Sequence, residues 1–190
     1  MQKLKIVVAG PKKGGKTVLA NILAEASENP IGAYRPTKGV RIIEFEGTAS
    51  GSSSSGLPLN VKVDVEMWDC SGDASFENCW PVIQDGANGV LFVYRSGNAS
   101  DAKEMDSFYS SFVAQRGIKD RNCMVFANIF DKDQETRGKL SSTFSRIPQI
   151  DVNLQHDADS ATTEFQRFLG SVLEGVKERQ DKAEISMIRN

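Results

Sequence analysis

The stretch AGPKKGGKTVLA, residues 9–20, sets four residues between Gly10 and Gly15-Lys16-Thr17, directly after the apolar run Ile6-Val7-Val8. Residues of these types at this spacing suit one chemistry, the holding of a polyphosphate. Gly10, Gly14 and Gly15 leave room for backbone N–H groups to face phosphate oxygens, and a helix starting there adds its positive end. Lys16 is spaced to reach the β- and γ-phosphates, and the Thr17 hydroxyl to bind Mg²⁺.

Kinases, ATPases and GTPases all use such a loop, so a second motif is needed. Trp68-Asp69-Cys70-Ser71-Gly72 ends the strand-like segment Val61–Trp68. An aspartate at a strand end beside the loop can hold Mg²⁺ through water, and Gly72 leaves its N–H free to approach a γ-phosphate. A third motif, Asn128-Ile129-Phe130-Asp131, follows the apolar run NCMVFA. A carboxylate at Asp131 could accept two hydrogen bonds from the N1–H and 2-amino group of guanine, a donor pair that adenine lacks. Alone it is also a polar turn. Three motifs in this order at three successive strand ends favour a guanine nucleotide.

The elements that position these residues read as follows. Lys3–Ala9 is a short buried strand, and residues 16–26 are a helix with Val18, Leu19, Ile22 and Leu23 on its inner face. Val40–Phe45 and Val61–Trp68 are strands. Between them GTASGSSSSG, residues 47–56, is low in complexity, so a flexible hairpin loop is expected over 47–60. Gly89–Tyr94 and Asn122–Ala127 are near-continuous apolar runs, as strands of a parallel sheet are. Met105, Phe108, Tyr109, Phe112 and Val113 recur at helical spacing, as do Phe165, Phe168, Leu169, Val172, Leu173 and Val176. Alternating strands and helices imply a doubly wound α/β sheet, with ligand at the carboxyl ends of the strands. One domain over residues 1–180 and a polar tail over 181–190 are expected.

Composition narrows the partners. The 190 residues carry 23 Lys plus Arg against 25 Asp plus Glu, a balance that supports neither a nucleic-acid nor a broad membrane surface. No apolar stretch approaches the ~20 residues of a bilayer span. Met1–Lys5 runs straight into a strand, so no signal peptide is expected. Gln2 and the cysteine-free end Met187–Asn190 make a lipid anchor unexpected. Cys70, Cys79 and Cys123, irregularly spaced, fit a reducing cytoplasm rather than a disulfide framework. His156 reads as a solvated loop residue. Trp68 and Trp80 read as packing residues near the second motif, with an interface role for Trp80 left open.

These motifs resemble the Ras-like small GTPases across nearly the whole chain. YRPTKGVRIIEFE, residues 34–46, is similar to the first switch of the intraflagellar transport protein 22 family, also called the Rab-like 5 family. The resemblance implies a P-loop NTPase fold of the Ras-like kind: a mostly parallel six-stranded sheet with helices on both faces. It implies a GTP-binding subunit of intraflagellar transport complex B, docked through its switch surface on coiled-coil subunits and needed for cilium or flagellum assembly. Carried over by residue, it implies that Gly10, Lys13, Gly14, Gly15, Lys16, Thr17 and Val18 hold GTP or GDP. Thr17 and Thr37 would coordinate Mg²⁺ with Asp69 as outer-shell partner. Gly72 would sense the γ-phosphate, and Asn128, Asp131 and the backbone of Leu154 would contact guanine.

The pattern breaks in places. Where Ras-like enzymes carry the glutamine that orients the attacking water, this chain has Asp73, shorter and anionic; no catalytic residue is assigned. Where they usually carry glycine, it has Lys12, whose side chain obstructs an arginine finger worth ~10³–10⁵ in rate. These two departures, read as independent, imply slow or negligible hydrolysis. The usual base-pocket lysine is Ile129, the usual base-stacking aromatic aligns with Pro30, and the family's S-A-K stretch is Asn153-Leu154-Gln155. Modest guanine affinity with some base tolerance follows. Two alternatives stay open: an actively cycling GTPase switch in trafficking, and a P-loop ATPase or nucleoside kinase, though no arginine-rich lid is present to support a kinase.

Overall fold

A computed structural model describes residues 1–25, 35–52, 58–130 and 139–188. In chain order its main elements are β1 (Gln2–Ala9), α1 (Lys16–Leu23), β2 (Val40–Ser52), β3 (Pro58–Cys70), α2 (Trp80–Gln84), β4 (Gly89–Arg95), α3 (Ala99–Phe112), β5 (Cys123–Asn128), β6 (Gln149–Val152) and α4 (Ala158–Ile188). They build one six-stranded sheet in the order β2-β3-β1-β4-β5-β6. Every neighbouring pair is parallel except β2 with β3. This is the expected doubly wound, mostly parallel sheet.

Side chains alternating across the strands feed two cores. Leu4, Ile6 and Val8 of β1, with Leu91 and Val93 of β4, pack under α1 and α4. Val7 and Ala9, with Val90, Phe92 and Tyr94, face the other way under α2 and α3. A strand that must be apolar on both faces reads as a continuous run, which is why GVLFVY and NCMVFA stood out. On α4 the stripe Phe165, Phe168, Leu169, Val172, Leu173 and Val176 is buried, as its spacing predicts. On α1 Leu19, Ala20 and Leu23 are buried, whereas Val18 and Ile22 are only half-buried and pack at the core's margin.

Two expectations need correction. The loop placed at 47–60 is much shorter. The β2–β3 ladder runs without a break from Val40↔Cys70 to Ser52↔Pro58, so residues 47–52 and 58–60 are paired strand. Backbone pairing needs no apolar side chain, and Ala49 contributes a fully buried methyl to the α4 side. Residues 53–57 lie outside the described ones. The polar tail at 181–190 is likewise no separate piece, since α4 continues through Ile188. Its last turns are exposed, and their Lys, Glu, Gln, Ala and Met favour continuing the helix that the packed part of α4 starts. Among the described residues no helix is long and apolar enough to cross a membrane.

Candidate nucleotide-binding site

The carboxyl ends of β1, β3 and β5 open on a cleft of about 960 Å³. The loop between β1 and α1 forms its floor. Gly15 caps α1 at φ 103, a left-handed conformation, and a Cβ there would lie 2.5 Å from Asn128 Nδ2. Only glycine satisfies both constraints. Lys16, the first residue of α1, is 7% exposed, and its Nζ donates to Gly10 O at 2.9 Å and Pro11 O at 2.7 Å. Burial lowers its pKa to about 8, against the pull of the Asp69 carboxylate. The loop's own carbonyls thus hold a buried ammonium at the floor of the cleft. Exposed Lys13, at φ 61, and half-buried Val18 also line the cleft.

Three oxygen-bearing side chains from separate elements converge beside it. Thr17 Oγ1 donates to Asp69 Oδ2 at 2.7 Å. Thr37 Oγ1 lies 3.0 Å from Thr17 Oγ1 and 3.5 Å from the same Asp69 oxygen. Asp69 is fully buried, and its Oδ1 has no hydrogen-bond partner. Burial raises its pKa, opposed by the Thr17 hydrogen bond and by the charges of Lys16 and Arg41. An orphaned buried carboxylate oxygen is costly, and two hydroxyls plus a carboxylate form the hard donor set that Mg²⁺ takes together with water and phosphate. The residues therefore fit that ion. Among the described residues no group of three His, Cys, Asp or Glu side chains is placed to hold a metal.

The segment after β3 presses on the phosphate loop. A Cβ on Gly72 would come within 2.6 Å of Gly10 O and Lys12 N, so a side chain there would push the two segments apart. One residue on, Asp73 Oδ2 lies 2.8 Å from Lys12 Nζ. Asp73 also accepts from Ser75 N at 3.0 Å and caps the 3-10 turn Ala74–Cys79. Lys12, and then the Ser75 backbone, pull the Asp73 carboxyl down to about 2. The two departures expected to act independently are therefore one ion pair.

Beside the phosphate loop Asn128, 3% exposed, donates from Nδ2 to Gly14 O at 3.1 Å and accepts from Leu154 N at 3.4 Å on Oδ1. It ties the phosphate loop to the loop after β6 through the Leu154 N–H. Asp131 and Pro30 lie outside the described residues. Sequence reasoning missed Arg41 and Phe130. Arg41 stands opposite Asp69 in the β2–β3 register and hydrogen-bonds Asn21 Oδ1. Only the register reveals that pairing, whereas Phe130 was visible as an aromatic inside the third motif. His156 is exposed, as expected. Trp80 is 6% exposed, with ring centroids 5.2 Å from Phe108 and 5.1 Å from Phe112. It is a packing residue, and this burial removes the interface role left open for it. Trp68 is half-buried beneath Lys5 Nζ, 3.7 Å from its ring centroid.

The chain is similar to several known proteins. The family model Roc, Ras of Complex, Roc, domain of DAPkinase, matches residues 5–131. The intraflagellar transport protein 22 homolog of Macaca fascicularis is 38% identical over 190 residues, covering 99% of this chain and 100% of its own. Among solved structures, the GDP-bound crystal structure of T. brucei IFT22 superposes with a TM-score of 0.67 at 20% identity, covering 91% of this chain and 97% of that one. The GTP-bound crystal structure of T. brucei IFT22/74/81 gives 0.63 at 21% identity, covering 87% and 95%. The structural likeness establishes the shared fold.

Proposed function

The chain belongs to the Ras-like Roc family and, within it, to the intraflagellar transport protein 22 homologs, and on that premise we propose that it is a GTP-binding subunit of intraflagellar transport complex B. In this reading Gly10 and Lys13–Val18 hold the phosphates of GTP or GDP. Thr17 and Thr37 ligate Mg²⁺, with Asp69 behind them. Gly72 approaches the γ-phosphate, and Asn128, Asp131 and the Leu154 backbone form the base end. Bound Mg²⁺ supplies charge neutralisation to the phosphates; the chain's own part is to position it.

The observation that carries the reading is the convergence of Thr17, Thr37 and the orphaned Asp69 carboxylate beside a glycine loop that holds buried Lys16. The T. brucei relative is GTP-bound in its assembly with IFT74 and IFT81, which supports partners of that kind here. Coiled-coil subunits would dock on the surface made by the Thr37 and Gly72 segments, ordered by nucleotide. The site of action would be the cilium or flagellum. Hydrolysis is slow, because Asp73 and Lys12 occupy the positions where a water-orienting glutamine and a glycine would serve it.

Chromatography of nucleotide released from the purified chain tests the base, and calorimetry with GDP and GTP in Mg²⁺ tests uptake. Guanine nucleotide and measurable binding are expected; a folded chain that binds neither ends the proposal. Capture of coiled-coil subunits with GTP present but not with GDP supports switch-surface docking, and equal capture contradicts it.

A further inference from the structure

Phe130 is 47% exposed. It sits two residues beyond Asn128, and the Ile129 N–H just before it donates to Val152 O at 2.8 Å, which fixes the ring's root to β6. Its side chain lines two spaces at once. One is the phosphate cleft. The other is an adjoining recess of about 430 Å³ whose walls include Lys13 and Arg95. Arg95 does not offer that recess a free cation, because Nε and Nη2 clamp Asp101 at 2.8 and 2.7 Å. What the edge of the cleft does offer is an open phenyl face.

Among the described residues two aromatic ones line the cleft, Phe76 and Phe130. Phe76 lies at the Thr37 end, 3.9 Å from where a Cβ on Gly39 would stand. Phe130 follows Asn128, whose amide donates to Gly14 O, and it lines the cleft together with Lys13 and Gly14. In a nucleotide with its phosphates over Lys16 and its metal at Thr17, a base that leaves the phosphate loop on the Asn128 side meets Phe130. The residues on either side of Asn128 in the third motif's loop offer no other ring: Ile129, next along the chain, is aliphatic.

We propose that Phe130 is the wall on which the base of the bound nucleotide stacks. The proposal rests on the nucleotide-binding reading above and names the side chain that supplies its base affinity. Stacking of a base on an aromatic ring adds affinity and does not distinguish one purine from another. Phe130 therefore supplies affinity to guanine and adenine nucleotides alike, while selection between them falls to hydrogen bonding.

The test uses the full chain with Mg²⁺ and three probes: GDP, ADP and inorganic pyrophosphate. Phe130→Ala weakens GDP and ADP in parallel by about tenfold or more and leaves pyrophosphate unchanged. Because Phe130 is exposed, the variant keeps the parent's melting curve. Phe130→Trp retains GDP affinity and adds emission that GDP quenches and pyrophosphate does not, relative to the parent with Trp68 and Trp80 alone. Unchanged GDP affinity in Phe130→Ala, an equal loss for pyrophosphate, or unquenched Phe130→Trp emission each overturns the proposal. A parent chain that takes up pyrophosphate but not GDP also overturns it while the phosphate cradle stands. A parent that takes up neither overturns the nucleotide reading itself.

Discussion

Lys12 Nζ and Asp73 Oδ2 lie 2.8 Å apart, one on the phosphate loop and the other on the segment that follows β3. Each was a reason to expect slow hydrolysis; together they neutralise each other at the place where a γ-phosphate would arrive. The side chains are 58% and 38% exposed, so solvent screens the pair and it contributes little to stability. Its importance is in where it puts charge. A triphosphate must share Lys12 with Asp73 and tolerate the carboxylate nearby.

Single-turnover GTP hydrolysis by the unaltered chain is expected on the order of 10⁻⁴ s⁻¹, the unassisted Ras-like level, or below. Asp73→Gln alone restores the orienting amide but releases Lys12 over the phosphates, so it helps little. The double change Lys12→Gly with Asp73→Gln is expected to exceed the product of the two single effects, the mark of coupled residues. An unaltered chain already hydrolysing on the order of 10⁻² s⁻¹, the level reached with an arginine supplied in cis, contradicts the assignment.

Asp69 is the second point of leverage. Its carboxylate is fully buried with Oδ1 unpaired, while Thr17 and Thr37 gather at Oδ2. Asp69→Asn keeps an acceptor for Thr17 and removes the charge a metal would use. In the parent, chelation of Mg²⁺ is expected to weaken GDP by roughly tenfold or more, since a metal clamp on phosphate contributes several kcal/mol. In Asp69→Asn most of that Mg²⁺ dependence disappears. Calorimetry in Mg²⁺ and in chelator reads both. A variant as Mg²⁺-dependent as its parent contradicts the placement of the metal.

The site was legible where the chemistry is local. Gly10, Lys16, Thr17, Asp69, Gly72 and Asn128 stand at strand ends that apolar runs announce, and the sheet brings them together. What stayed hidden depends on register or on neighbours distant in sequence. Arg41 faces Asp69 only because β2 pairs antiparallel in one register with β3. Lys12 meets Asp73 across 61 residues, and neither identity suggests the other. The length of β2 was misread for a different reason. Serine and glycine carry little apolar signal, yet the ladder needs only their backbone.

The three cysteines differ sharply in environment. Cys70 and Cys123 are buried, Cys79 is exposed. Burial first, and then Asp69, pushes the Cys70 thiol up; burial first, and then Asp120, does the same to Cys123. The thiolate is the reactive form, so at pH 8 a disulfide reagent is expected to titrate Cys79 quickly in the folded chain and all three cysteines in denaturant. Cys79→Ser reduces the fast native phase to near zero. A second fast thiol in the native chain contradicts the burial of Cys70 or Cys123.

Gly47 decides whether the glycine- and serine-rich stretch is packed structure or loose connection. A Cβ there would lie 3.0 Å from Leu169 Cδ1 and 3.0 Å from Val65 Cγ2, both on residues that are essentially inaccessible. Gly47→Val forces two further methyl groups into that contact and is expected to cost about 1–3 kcal/mol, as overpacking does. It should appear as a lower urea midpoint at unchanged slope. Combining it with Leu169→Ala opens space on α4 exactly opposite the new side chain, so the pair should cost less than the sum of its parts. In a free loop the same substitution would stay within about 0.5 kcal/mol of neutral. A midpoint unmoved by Gly47→Val would therefore place residues 47–52 back in solvent and detach β2 from α4.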